Sequence, residues 1–318
     1  MRVTGFATLP HYRAHIAPIL AAIPVESRGA LVDHVDGAPD EGPVIVAGFS
    51  DLAKLKGPRP IVYVEHGAGQ TYVPDGGYVA RHPCYSGSTH HLFKRVSLFV
   101  CPNATVATRW REVHPATPAV AVGCPRLDRW HPTAGRDSGG PLTVGWTWHW
   151  GADIGVKEAT SAYPYYRDAL PQIVADVRSS GVDVIGHAHP RAYSVFADVW
   201  ESCGVQWVED PDRLFESCDL LVADNTSLLY EFASLNRPVV ALNAPWYRRR
   251  VEHGLRFWSD VPGIQADSPG TVADSIVEAL TDPAEVAAAR QATIRRVYAH
   301  VDGNAAARAA AAICERFG

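Results

Sequence analysis

The chain has 318 residues, 47% of them hydrophobic and 20% charged, with a formal net charge of −5. This length favours two domains of about 150 residues each, and the mildly acidic balance argues against a protein that clamps nucleic acid through a broad basic surface. No apolar run approaches the roughly 18 residues of a membrane-spanning helix, and the N-terminus lacks a basic stretch followed by an apolar signal core, so a cytoplasmic location is expected. The six cysteines, Cys84, Cys101, Cys124, Cys203, Cys218 and Cys314, are scattered without a Cys-x-x-Cys pair. That scatter fits buried free thiols better than a disulfide framework or a zinc site.

Short apolar runs alternate with helical stretches from the start. Strands are expected at 3–8, 30–35, 44–47, 60–65, 97–101 and 119–123, and helices at 11–22, at 51–56 with Ser50 as cap, and at 103–113. These form a first domain over 1–125. Residues 126–141 hold Pro132, Gly135, Asp137, Ser138, Gly139, Gly140 and Pro141 and read as a linker. The alternation then resumes over 142–282: strands at 142–146, 182–186, 205–208, 218–224 and 237–240, and helices at 161–179, 192–203, 211–217 and from 226 onward. Two helices, at 283–300 and 303–317, close the chain. The pattern predicts an α/β protein of two Rossmann-like, doubly wound parallel-sheet domains facing across a cleft.

Residues that bear chemistry cluster where strands end, the edge at which open α/β sheets bind ligands. The junction Asp224-Asn225-Thr226-Ser227 breaks an apolar strand and opens a helix. Its hydroxyls and free backbone N–H groups suit a phosphate or diphosphate, with Asp224 as a cap or loop brace and Glu231, five residues past Thr226, as a candidate ribose acceptor facing the cleft. His66, between a strand and Gly67 and Gly69, is a candidate base for an attacking hydroxyl, because an imidazole titrates near neutral pH. His187 and His189 end another strand, and Arg191 can bond two phosphate oxygens through its planar fork. No acidic or cysteine partner stands at ligand spacing from the His-x-His pair, which argues against a metal there. The plainer readings are a strand-end histidine bonded to its own loop, an ordinary N-capped helix, and, for Trp146, Trp148 and Trp150, packing. Arg248-Arg249-Arg250 reads as a solvated loop.

Taken in order, His66-Gly67, Gly123-x-Pro125-Arg126-x-Asp128, Thr147-Trp148, His189-Pro190 and Asp224-x-Thr226-Ser227, followed by Phe232-Ala233-Ser234-Leu235-Asn236-Arg237-Pro238-Val239, resemble the CDP-glycerol glycerophosphotransferase family of teichoic-acid synthesis, within the GT-B group of nucleotide-sugar transferases. The resemblance implies a transferase with His66 as base and with His189, Thr226 and Ser227 on the donor diphosphate. It further implies a CDP- or UDP-linked donor as co-substrate, with no metal and no other cofactor. Gly67, Arg126, Thr147, His149, His187 and Asp224 would support the site, although His149 stands where the family usually has an arginine. The acceptor hydroxyl is left open among polymer, lipid, protein and modified nucleic acid. A nucleotide-sugar epimerase or hydrolase of the same fold and a non-catalytic binding module are the alternatives.

Overall fold

The computed structural model describes residues 1–37, 41–68, 73, 90–131, 140–151, 155–249, 251 and 261–318. Gly69, Cys84, Arg250 and residues 132–139 of the expected linker lie outside them. The chain divides into two compact units, one of Met1–Gln70, His82–Thr133 and Arg295–Gly318, the other of Thr71–Arg81 and Ala134–Ile294.

The first unit runs β1 (Val3–Phe6), α1 (Pro10–Ala22), β2 (Arg28–Val32), β3 (Val44–Val46), α2 (Phe49–Lys54), β4 (Ile61–Val64), α3 (His90–Phe93), β5 (Val96–Cys101), α4 (Ala104–Val113) and β6 (Ala119–Ala121). All pairings are parallel, in the order β2-β1-β3-β4-β5-β6. Strands buried on both faces read as continuous apolar runs, and β3 and β4 are Val-Ile-Val and Ile-Val-Tyr-Val with every residue buried. One face carries Ile16, Ile19 and Leu20 of α1, and the other carries Phe93, Val106 and Trp110. Asn103 caps α4 by accepting the Val106 N–H at 2.9 Å.

The second unit contains β7 (Thr143–Trp148), α5 (Tyr163–Tyr166), α6 (Leu170–Ser179), β8 (Asp183–Ala188), α7 (Tyr193–Ser202), β9 (Gln206–Val208), α8 (Asp212–Ser217), β10 (Leu220–Ala223), α9 (Ser227–Ala233), β11 (Val239–Leu242), β12 (Ile264–Ala266) and α10 (Val272–Leu280). Its parallel sheet is ordered β12-β11-β10-β7-β8-β9. Counted along the unit, this is the dinucleotide-fold order, with its reversal between β7 and β10. Trp146, Trp148 and Trp200 are fully buried in its core, so packing is the role of the first two, as the plainer reading expected. Two helices follow, α11 (Ala284–Val297) and α12 (Ala305–Phe317).

Several expectations change. The helix expected at 161–179 is two helices, because Pro171 sits in the first turn of α6, where a proline starts a helix well. Ser50 does not cap α2; Gly48 occupies the N-cap with no side-chain bond. β12 and α10 were not foreseen. Residues 125–130, mostly assigned to a linker, form a 3-10 helix with Pro125, Arg126 and Leu127 buried. Asp128 in that turn accepts the Ala305 and Ala306 N–H groups at 2.9 and 2.7 Å, anchoring the start of α12, and α12 lies along α1 within the first unit. The described cysteines, Cys101, Cys124, Cys203, Cys218 and Cys314, are free, and burial pushes the Cys101 thiol up to about 12.

Candidate active site

In the first sheet the strand order turns back at β1 and β3, and the chain leaving these strands brings its polar groups together. Asp51, fully buried in the first turn of α2, accepts the Thr8 N–H at 3.0 Å and the Thr8 hydroxyl at 2.5 Å, joining the end of β1 to that of β3. Next to this joint stands His66, just past β4, followed by Gly67 at φ +90, a backbone state that glycine adopts without strain. The Tyr12 ring meets the His66 ring edge-on at 5.0 Å between centroids, and the His11 and His15 rings stand 6.4 and 6.3 Å from it.

Tyr12 lies so close to the β3–α2 junction that a Cβ on Gly48 would fall 2.2 Å from its ring. Burial, reinforced by the positive charge of Arg126 and by His66 and His11, holds His15 well below the ordinary histidine pKa of 6.5. Desolvation disfavours the imidazolium, and cations nearby disfavour it further. Sequence reasoning identified His66, Gly67 and Arg126 but missed Tyr12, His11 and His15. For the two histidines the available signal was their spacing of four residues, which a helix places on one face.

In the second sheet the matching position is the gap between β7 and β10. Asp224, just past β10, accepts the His149 N–H at 2.6 Å, the Ser161 hydroxyl at 2.8 Å and the Ala162 N–H at 2.8 Å. It therefore braces three chain segments, as its brace role anticipated. Thr226 is the N-cap of α9, accepting the Leu228 N–H at 3.4 Å, and Ser227 opens the helix. With seven residues, α9 is too short to present a full helix dipole, so the hydroxyls and first N–H groups carry more of any anion binding than the dipole does.

His187 does not stand at the edge beside His189. It is the fifth residue of β8, buried, and shares a hydrogen bond of 2.8 Å with the Thr147 hydroxyl on β7. Both residues therefore serve the sheet. His189 is half-buried at the edge, and its Nδ1 accepts the Arg191 N–H at 3.2 Å. The His149 Nδ1 likewise accepts the Gly151 N–H at 3.1 Å. Each bond occupies the Nδ1 lone pair, which in a neutral ring leaves Nε2 as the N–H donor. Glu231, expected to face an opening, is only 3% exposed.

A recess beside this edge is lined by Asp224, Asn225, Thr226, Tyr230, Asn243 and Tyr247, among others. Asn225, 5% exposed, has neither amide nitrogen nor oxygen bonded within the described residues. Asn243 donates to Asp267 at 2.6 Å and to Gln265 at 3.1 Å. Within the arginine run Arg248 departs from the solvated-loop expectation: it forks onto the fully buried Glu158, with Nη2 2.7 Å and Nε 2.9 Å from its oxygens, whereas Arg249 is exposed and pairs with Asp267 at 2.7 Å. The loop after β11 is thereby tied to the same 156–162 segment that Asp224 holds. Among the described residues no group of three or more His, Cys, Asp or Glu side chains could hold a metal ion, and no helix is long and apolar enough to cross a membrane.

Residues 173–315 match the model of the family described as CDP-Glycerol:Poly(glycerophosphate) glycerophosphotransferase. None of the curated proteins matches the chain. Among solved structures, the wall teichoic acid polymerase TagF superposes with a TM-score of 0.63 at 14% identity, covering 99% of this chain and 88% of that one. HepE of Anabaena in complex with UDP-glucose does so at 0.53 and 16%, with 99% of both chains covered. A Listeria monocytogenes protein described as a UDP-N-acetylglucosamine 2-epimerase does so at 0.58 and 12%, with 98% and 95% covered. At these identities the likeness is one of fold, and it bears out the GT-B architecture. The family match bears out the resemblance read from the motifs.

Proposed function

For this GT-B transferase, related through residues 173–315 to the glycerophosphotransferase family, we propose the transfer of a glycosyl or glycerol-phosphate group from a CDP- or UDP-linked donor to an acceptor hydroxyl. The observation that carries this reading is the placement of Asp224, Thr226 and Ser227 at the strand-order reversal between β7 and β10, inside the matched region. Such a reversal opens a crevice at the carboxyl ends of the strands, where nucleotides bind in folds of this kind. TagF has been solved after a soak with CDPG and HepE with UDP-glucose, which supports a nucleotide donor.

In this reading Thr226, Ser227, His189 and Arg191 hold the donor diphosphate. His66 removes the proton from the acceptor hydroxyl as its oxygen attacks. If the attack is at phosphorus, the bond to the departing nucleotide oxygen breaks and CMP leaves. If it is at the anomeric carbon, a nucleoside diphosphate leaves with the electron pair. Fixed N–H donors and the Arg191 charge stabilise the developing negative charge in either case. The reaction is read as metal-independent and as needing no further cofactor, so turnover unaffected by EDTA is expected.

Incubation with CDP-glycerol and UDP-glucose, with the released nucleotide identified, tests the reading and separates the two routes. His66→Ala is expected to abolish turnover while nucleotide binding persists; turnover unchanged in that variant removes His66 as base. Isomer or free sugar formed rapidly without acceptor would instead favour the epimerase or hydrolase chemistry of similar folds.

A further inference from the structure

β7 ends at Trp148, and the turn His149-Trp150-Gly151 follows. Gly151 sits at φ +77 and its N–H bonds back to His149 Nδ1, which fixes where the Trp150 indole goes. The indole is tilted by 31° to the His149 ring at 5.6 Å and by 35° to the His189 ring at 5.9 Å. Over it lies the Arg191 guanidinium, with Cζ 4.7 Å from the ring centroid. Arg191 is exposed, and its side chain makes no hydrogen bond or ion pair among the described residues.

An arginine held by a carboxylate has its charge offset and part of its donor fork occupied. One held by an aromatic face keeps all five N–H donors, because the contact uses the plane of the guanidinium and not its edge. Stacking also removes rotamer freedom before any ligand arrives, so less of it is left to lose when the fork bonds a ligand. Trp150 is itself half-buried against the core of the second unit, so the platform is fixed on its other side.

We propose that Trp150 is the positioning residue for Arg191, holding the guanidinium by its face so that its edge is presented to the diphosphate of the donor. The inference rests on the donor reading above. Lysine cannot substitute, since an ammonium has neither the plane to stack nor the fork to bond two oxygens.

The test is calorimetric titration of CDP, UDP and pyrophosphate into the wild type, Trp150→Leu, Trp150→Phe, Arg191→Gln and the double variant Trp150→Leu/Arg191→Gln, with melting temperatures to confirm folding. Trp150→Leu is expected to weaken the ligand that the wild type binds by about three- to fivefold, the size of an exposed cation–π contact. Arg191→Gln is expected to weaken it by roughly tenfold or more, the size of a charged hydrogen bond. The double variant should bind no worse than Arg191→Gln alone, and Trp150→Phe should retain most of the affinity. In ligand-free protein the Arg191 Nε–H signal should lose its ring-current shift in Trp150→Leu. Wild-type affinity in Trp150→Leu, or losses that add in full, would overturn the positioning role and leave the donor reading standing. Failure of the wild type to bind any of the three ligands would overturn the donor reading, and this inference with it.

Discussion

Asp224 accepts the backbone N–H of His149 at 2.6 Å, a bond that extends the pairing of β10 with β7 beyond the ends of both strands. Asp51 makes the equivalent joint in the other sheet, through Thr8. In each unit a buried carboxylate closes the place where the strand order reverses. Two further donors, the Ser161 hydroxyl and the Ala162 N–H, also end on Asp224. Asp224→Ala leaves all three without their acceptor and is expected to lower stability on the order of 3 kcal/mol or more, read by urea unfolding. Asp224→Asn, which keeps one acceptor oxygen, should lose less.

His15 gives the first unit a pH dependence whose sign follows from its depressed pKa. Burial first, then Arg126, His66 and His11, keep it neutral in the fold, whereas the unfolded chain titrates at about 6.5. Below that pH the unfolded state binds a proton that the native state does not, so stability falls as pH drops through 6.5 toward the folded-state value. The slope from this residue is at most about 1.4 kcal/mol per pH unit. Melting temperatures between pH 5 and 8 should show a smaller acid-side decline in His15→Gln than in the wild type. An identical decline in both would remove His15 as its source.

The Arg248–Glu158 pair predicts an asymmetry. Glu158 is fully buried, while the Arg248 side chain is 23% exposed. Arg248→Ala strands a carboxylate without its cation and should cost about 3–5 kcal/mol. Glu158→Gln leaves a partly solvated guanidinium and should cost less. Urea unfolding of the two variants checks the order.

Tyr166 donates its hydroxyl toward the Asn243 and Ala266 carbonyls at 2.7 and 2.9 Å, spanning the ends of β11 and β12. Burial holds its phenol well above the usual tyrosine range. Tyr166→Phe is expected to cost about 1–3 kcal/mol in unfolding experiments, with nucleotide binding kept, since the hydroxyl ties α5 to the ends of β11 and β12 and makes no bond to Thr226.

Strands were legible because parallel sheets bury both faces and so write unbroken apolar runs, as at 44–47 and 60–65. β12 was hidden by its length, three residues with Gln265 in the middle, and the Pro164 and Pro171 signals inside 161–179 were passed over. At the site, residues next to strand ends, such as His66, Asp224 and Thr226, could be read from position alone. Arg248, Glu158 and Tyr12 could not, because their roles depend on partners that only folding brings together: Arg248 and Glu158 are 90 residues apart in sequence. His187 and His189 differ by one residue-pair of pleat, yet one bonds inside the sheet to Thr147 and the other caps a turn.

The central claim is that a nucleotide-diphosphate donor binds at the β7–β10 reversal of the second unit. Calorimetric titration of CDP-, UDP-, GDP- and TDP-linked donors into the wild type and into Thr226→Val/Ser227→Ala tests it most directly. The account predicts saturable binding of a CDP- or UDP-linked donor, weakened by roughly tenfold or more when both hydroxyls are removed. No binding of any of the four, or equal affinity in the variant, would contradict it.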